Sequence, residues 1–311
     1  MKLIDLHCDT LYDICMHGGG LANRSGHIDL ARAQHYDHYA QVFALFCGAQ
    51  PLNDPAEARQ LLDRLLSTAQ EQLSAHEAQM MLCTSGAQLE KARAKHKTAA
   101  FLSIEGAELL PDFDSLRKAY DAGVRIVTLS WNHRSGYACG ASTDNDAGLT
   151  GAGRDFVRRC EEMGIVLDVS HLSERGFWEL CELTDRPLLA THSNCRSICP
   201  HLRNLTDVQI KELVRRDGRI GLNLYVPFLT TQERASSDDV LRHLEHLLQL
   251  GAEHHICLGA DFDGCDRLPD DLNDLSEMNT LHRRIAAQFS PKLADAVFYR
   301  SAEQFIHKYI M

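Results

Sequence analysis

The sequence predicts an α/β fold, a (β/α)8 TIM-like barrel with an extra helix at its carboxyl end, and three observations carry that prediction. Eight short apolar segments alternate with stretches of helical periodicity along the 311 residues, the order expected of parallel strands joined by crossover helices. Most of these segments run into a histidine or a carboxylate. Polar side chains therefore recur at strand ends throughout the chain rather than at one switch point, which disfavours an open doubly wound sheet, the runner-up fold. No linker-like composition divides the chain, so residues 1–311 read as a single domain.

The first segment is Lys2-Leu3-Ile4-Asp5-Leu6-His7-Cys8-Asp9-Thr10. Alternation along a strand puts His7 and Asp9 on one face and Cys8 on the other. An imidazole beside a carboxylate is half of a divalent-metal site. Residues 17 to 28, with Gly18-Gly19-Gly20, read as loop, and Tyr39 to Cys47 as the second strand. Leu61, Leu62, Leu65 and Leu66 give residues 54–75 a helical period, and 86–95 reads as another helix. Ala99 to Gly106 is the third strand and closes on Glu105; a short helix from Leu116 to Ala122 stops at Gly123. Val124 to Ser130, the fourth strand, leads into Trp131-Asn132-His133. The glycine-rich loop from Gly136 to Gly153 lacks the lysine and hydroxyl pattern of a phosphate loop.

Helix 154–163 stops at Gly164, and Ile165 to His171 is the fifth strand, followed by Ser173 as a helix cap. Pro187 to Ser193 is the sixth strand and contains His192. A helix from Thr206 ends near Gly218, and Arg219 to Tyr225 is the seventh strand. Helix 237–250 stops at Gly251; His255 to Gly264 is the eighth strand and carries Asp261 and Asp263. Helices near 275–288 and 292–308 complete the pattern. No internal repeat is visible at the 20–50-residue scale typical of solenoids.

Composition narrows the function classes. Apolar residues make up 44% and charged residues 24%, as in an ordinary globular protein. No apolar run approaches the roughly 18 residues of a membrane span, and no basic stretch leads into a hydrophobic core as in a signal peptide. The expectation is a soluble, cytoplasmic protein. A formal charge of −11 disfavours nucleic acid as partner, because a phosphate-binding surface is basic. Divalent cations among the carboxylates would offset part of it. The 11 cysteines are scattered, with no Cys-x-x-Cys and Cys195 and Cys199 as the closest pair, so buried reduced thiols are expected.

In a parallel barrel His7, Asp9, Glu105, His171, His192 and Asp261 all reach one rim, the carboxyl-terminal face where such folds keep their chemistry. A strand-end histidine taken alone is more often a satisfied polar residue than a ligand; the joint occurrence on five strands is what points to metal. Nitrogen and oxygen donors of this kind suit zinc or a similar divalent ion. The set is large enough for two ions sharing a carboxylate, with Glu105 as the natural bridge. Two metals about 3.5–4 Å apart would hold a shared hydroxide and polarise a carbonyl oxygen.

The chain resembles the membrane (renal) dipeptidase family, zinc peptidases of the amidohydrolase-like barrel group, over essentially its whole length. The residues that carry the resemblance are Asp5-Leu6-His7-Cys8-Asp9-Thr10, Ile104-Glu105-Gly106, Asp168-Val169-Ser170-His171, Thr191-His192-Ser193, Arg203-Asn204 and Gly259-Ala260-Asp261-Phe262-Asp263-Gly264. The His-x-Asp opening separates this group from relatives that open with His-x-His. The resemblance implies a dinuclear zinc dipeptidase, with other divalent metals as substitutes. It implies that His7, Asp9 and Glu105 hold one zinc and that Glu105, His171 and His192 hold the other. By the same resemblance Asp261 is the catalytic acid–base beside Glu105, and Arg203 binds the substrate's terminal carboxylate, a task suited to a two-pronged guanidinium. Tolerance of a D-residue at the second position is likewise implied.

One position departs from the family pattern: Trp131 stands where mammalian members have a substrate-binding histidine. Stabilisation of the oxyanion then falls to His133, two residues on, or to the metal. Two other readings stand beside the dipeptidase. One is an amidohydrolase-like enzyme acting on an N-acyl amino acid, lactone or phosphoester; the other is a non-catalytic metal-binding protein. The partner expected is a small dipeptide, not nucleic acid or membrane, and both monomer and homodimer remain open. Asp263, Asp266, Asp270 and Asp271 read as a solvated acidic loop, Asp168 as a support beneath the site, and Trp178 as core.

Overall fold

Nine parallel strands, joined mostly through helices, make up the sheet in the computed structural model, which describes residues 1–22 and 25–311. They are β1 (Lys2–Cys8), β2 (His38–Phe46), β3 (Met80–Leu82), β4 (Thr98–Glu105), β5 (Val124–Thr128), β6 (Val166–Asp168), β7 (Leu189–Ala190), β8 (Arg219–Leu222) and β9 (Ile256–Leu258). Hydrogen bonding runs β2-β1-β9-β8-β7-β6-β5-β4, and β2 also pairs with β4, from Ala40↔Ala99 to Phe46↔Glu105. That pairing closes an eight-stranded barrel and excludes the open sheet.

The ninth strand, β3, lies outside the ring. It pairs with the first residues of β4, Thr98 to Ala100, while β5 takes the same edge further on, from Leu102 to Glu105. Three residues carry no readable period, so β3 is not evident in the sequence.

Alternation along the strands builds two apolar layers. Ile4, Leu6, Val42, Phe101, Ile126, Leu189 and Cys257 form one cluster inside the ring. Their neighbours Leu3, Phe43, Leu102, Val127, Leu167, Ala190 and Leu258 belong to the larger cluster shared with the surrounding helices. The helix Ser301–Tyr309 adds Phe305 and Ile306 to the inner cluster, with Ile310 just beyond it. It therefore plugs the end of the barrel opposite the strand carboxyl termini. The sequence reading of one helix over 292–308 resolves into helix Pro291–Asp295, a π-helical turn Ala296–Arg300 and this last helix.

Helix starts follow local chemistry. Ser173 accepts from the backbone N–H of Gly176, as its sequence position suggests, and Thr206 forms a full capping box with Gln209. All 11 cysteines are free thiols, and only Cys15 and Cys265 are not fully buried.

Candidate active site

The site begins with a flaw in β1. Its register against β2 holds from Lys2↔His38 to Asp5↔Gln41, then resumes at Cys8↔Phe43. Three steps on β1 thus match two on β2, which is a bulge. Strict alternation from Ile4 and Leu6, both inside, would send His7 outward; the extra residue turns it inward. Asp5 pins the bulge, its Oδ1 accepting from the N–H of His7 at 3.2 Å and of Ala260 at 3.0 Å.

His7 Nε2 then lies 3.5 Å from Asp9 Oδ2, 3.5 Å from Glu105 Oε2 and 3.7 Å from Asp261 Oδ1. The other oxygen of Glu105, Oε1, faces a second group: His171 Nε2 at 2.8 Å and His192 Nε2 at 3.7 Å. Those two ring nitrogens are 2.8 Å from each other. His171 and His192 were expected inside strands, but they follow the short strands β6 and β7 on the connecting loops. The left-handed backbone of His171, φ 69°, ends any strand before it reaches that residue.

Hydrogen bonds on the far side of each ring define which nitrogen is available. Thr191 donates its hydroxyl to Asp168 Oδ2 (2.6 Å), so its oxygen accepts from Nδ1 of His192 (2.8 Å). Nδ1 of His171 donates to Asn132 Oδ1 at 2.8 Å. Both Nε2 atoms therefore carry lone pairs, and both turn them toward Oε1 of Glu105. Nε2 of His7 and Oδ1 of Asp9, both buried, likewise have no hydrogen-bond partner. Such a convergence of ring nitrogens and carboxylate oxygens needs positive charge among them, a proton or a metal cation. The chemistry of these donors fits divalent metal.

Burial sets the ionisation of the group. Glu105, fully enclosed and then opposed by Asp9, is pushed up to about 8. Burial also raises Asp261, and it holds His171 and His192 well below the ordinary imidazole range. Asp261, with φ 63°, accepts from Asn223 Nδ2 on Oδ2 at 2.9 Å. Arg203 is buried and lowered to about 10 by desolvation, so it stays a cation at neutral pH. Its Nη2 donates to the carbonyl of His192 at 3.4 Å, its Nε has no partner, and its guanidinium lies 5.3 Å from the Phe228 ring.

These residues open into a cavity of about 530 Å³, within the usual size of small-ligand sites. Asp9, Glu105, His171, Arg203 and Asp261 line it, as do Tyr12, Phe46, Trp131, Asn132, His201 and Tyr225. His133 does not line it: its Nε2 bonds the carbonyl of Ala49 at 3.0 Å, and the cavity wall at that point is Trp131.

The acidic loop also departs from expectation at Asp263. Its side chain is 5% exposed, not solvated. It accepts from Thr10 Oγ1 at 2.6 Å and from the N–H of His27 at 2.7 Å. Those donors lie more than 200 positions away along the chain, which hides the contact from a sequence reading. Asp271 similarly accepts from the N–H of Ser237 at 2.8 Å, whereas Asp266 is exposed and lines the cavity.

Sequence reasoning did not single out Asn223, Thr191 or the aromatic wall. Asn223 directly follows β8, so the strand-end criterion that found the histidines could have found it. Asp168 does support the site, through Thr191, and Trp178 packs against the core as expected.

Comparison with known proteins agrees with this geometry. A crystal structure described as the dipeptidase AC, a metallo peptidase, superposes with a TM-score of 0.91 at 26% identity, covering 100% of this chain and 99% of that one. A metallo peptidase from Rhodobacter sphaeroides, liganded with a phosphinate mimic of the dipeptide L-Ala-D-Ala, gives 0.91 at 25% identity over 99% of both chains. An uncharacterized protein of Acinetobacter calcoaceticus is 34% identical over 249 residues, 72% of this chain and 79% of its own length. The model of the family described as Membrane dipeptidase (Peptidase family M19) matches residues 1–294. The chain belongs to the membrane dipeptidase family and is a metallo-dipeptidase.

Proposed function

We propose that this protein hydrolyses the amide bond of dipeptides with a free terminal carboxylate, including those with a D-residue second, and that two zinc ions serve it. The observation that carries the reading is the division of Glu105, one oxygen toward His7 and the other toward His171 and His192. A carboxylate held between two donor groups is the arrangement a bridging ligand needs. In this reading His7, Asp9 and Glu105 hold one ion, and Glu105, His171 and His192 the other. When bound, such a pair supplies Lewis acidity at the amide carbonyl and a water acidic enough to react near neutral pH.

The remaining tasks fall to protein side chains. Arg203, enclosed and with an unpaired Nε, offers a fixed fork to the substrate carboxylate and so registers the peptide in the cavity. Asp261 has one oxygen tied to Asn223, which leaves Oδ1 toward His7 and the centre of the site. There it takes the proton of the attacking water and returns it to the departing amine. Burial raises its carboxyl, which favours holding that proton between the two transfers. Asn132 and the Asp168–Thr191 pair keep the two histidine rings oriented.

The test is elemental analysis of the purified protein combined with a hydrolysis panel: L-Ala-L-Ala, L-Ala-D-Ala, an N-acyl amino acid, a lactone and a phosphoester. Two equivalents of zinc and turnover of the dipeptides support the reading. Turnover confined to the other substrates overturns it.

A further inference from the structure

Across the cavity from Arg203 stands a continuous aromatic wall. Tyr12 lies on the helix Thr10–His17 after β1, Phe46 ends β2, and Trp131 follows β5. The Tyr12 and Phe46 rings are 4.9 Å apart, those of Phe46 and Trp131 5.4 Å, and those of Trp131 and His171 5.7 Å. All three apolar rings pack against the core and are only partly buried, so each shows a face to the cavity. The strand order places them on one arc of the ring. Arg203 and Tyr225, which follow β7 and β8, stand on the facing arc.

The wall is also preformed. The N–H of Trp131 donates to Glu108 Oε1 at 3.4 Å. Behind it Gly140 packs so tightly that a Cβ there would come within 1.9 Å of the Trp131 carbonyl oxygen. The loop that carries Trp131 is thus clamped on both sides.

We infer that Tyr12, Phe46 and Trp131 form the pocket for the side chain of the substrate's amino-terminal residue, and that they select large apolar or aromatic residues there. The inference rests on the dipeptidase reading. A dipeptide held by its carboxylate at Arg203 and cut at the centre of the mouth must extend its first residue toward the opposite arc. A leucine or phenylalanine side chain gains buried apolar area against these rings, and an aromatic one can also stack. A glutamate would lose hydration there with only the Tyr12 hydroxyl and the Trp131 indole N–H as donors from the wall, and it would share the cavity with the carboxylate of Asp9. Trp131, at the position where the sequence departs from the mammalian pattern, thereby has a role in selection.

The test compares kcat/KM for X-Ala dipeptides, with X as Gly, Ala, Leu, Phe or Glu, and for the matching Ala-X series. Metal-loaded wild type, Trp131→Ala and Phe46→Ala are measured together. Wild type should favour Phe-Ala and Leu-Ala over Gly-Ala and Glu-Ala by roughly tenfold or more, the scale on which apolar pockets discriminate. Trp131→Ala should erase most of that ratio while leaving the order of the Ala-X series unchanged. A flat X-Ala panel in wild type overturns the inference and spares the dipeptidase reading. So does an equal loss on every substrate in both variants, which would mark the wall as structural only. Metal-loaded protein that cuts no dipeptide overturns both.

Discussion

At the scale of single residues the site rests on a few groups whose surroundings leave them one useful state. Asp261 is the clearest. Asparagine can keep the contact to Asn223 while losing the ability to carry a proton. Asp261→Asn should therefore lower kcat by about 10²–10⁴ with KM changed little, measured on L-Ala-L-Ala with zinc content verified. Arg203→Ala should act differently: kcat/KM for a free dipeptide falls roughly tenfold to a hundredfold, as expected for loss of a charge-assisted hydrogen bond. The carboxamide of the same dipeptide should be nearly indifferent to it. His7, Asp9, Glu105 and Asp261 were legible in the sequence because strand ends project to one rim. The Asp263 contacts were not. A polar residue that bonds a partner hundreds of positions away leaves no local period to read.

Secondary-structure elements hold these groups by indirect means. Thr191, just past β7, passes the hold of Asp168 on to His192. Thr191→Val keeps the shape and removes the hydroxyl, so metal affinity should fall about 10–100-fold with little loss of fold stability. Competition with a chelator would measure it. A second link ties two outer helices, Asp207–Arg215 and Glu174–Leu183, through Arg216. Arg216 bonds the carbonyls of Thr184 and Cys181, while Glu212 accepts from its Nε at 2.5 Å.

Hydrogen bonds from Arg215, outweighing burial and joined by those from Arg216, lower Glu212 from 4.5 to about 2. A carboxyl lowered on folding stabilises the protein above its unfolded pKa, and that contribution fades as pH falls from 4.5 toward 2. Glu212→Gln should thus cost on the order of 1 kcal/mol at pH 6, after allowance for solvent screening. The gap to wild type should close by about pH 2 in urea titrations at successive pH values. At this scale the long strands and capped helices were readable. β3, three residues long, and the bulge in β1 were not, since neither alters composition or period.

The whole molecule depends on the closure of its ring at both ends. The last helix seals the lower mouth, where Phe305, 2% exposed, lies in the inner cluster and Arg219 donates to the Ser301 carbonyl at 2.7 Å. Phe305→Ala should cost about 3–5 kcal/mol, as for other large buried aromatics, seen as a lower denaturant midpoint. The barrel itself was legible from the count and order of apolar segments. The plug was not, because a terminal amphipathic helix reads the same wherever it docks.

The seam between β1 and β9 has one more consequence. Within the strands one registered pair, Asp5↔Leu258, joins them, and beyond β9 the seam continues through the Cys8↔Phe262 bridge and the bond from the Ala260 N–H to Asp5 across 255 positions. During synthesis His7 and Asp9 precede Asp261 by about 250 residues and must wait for it to complete their surroundings. Such long-range closure slows folding, so a nascent chain that stalls before the eighth barrel strand holds every proposed metal ligand but neither Asp261 nor a closed ring.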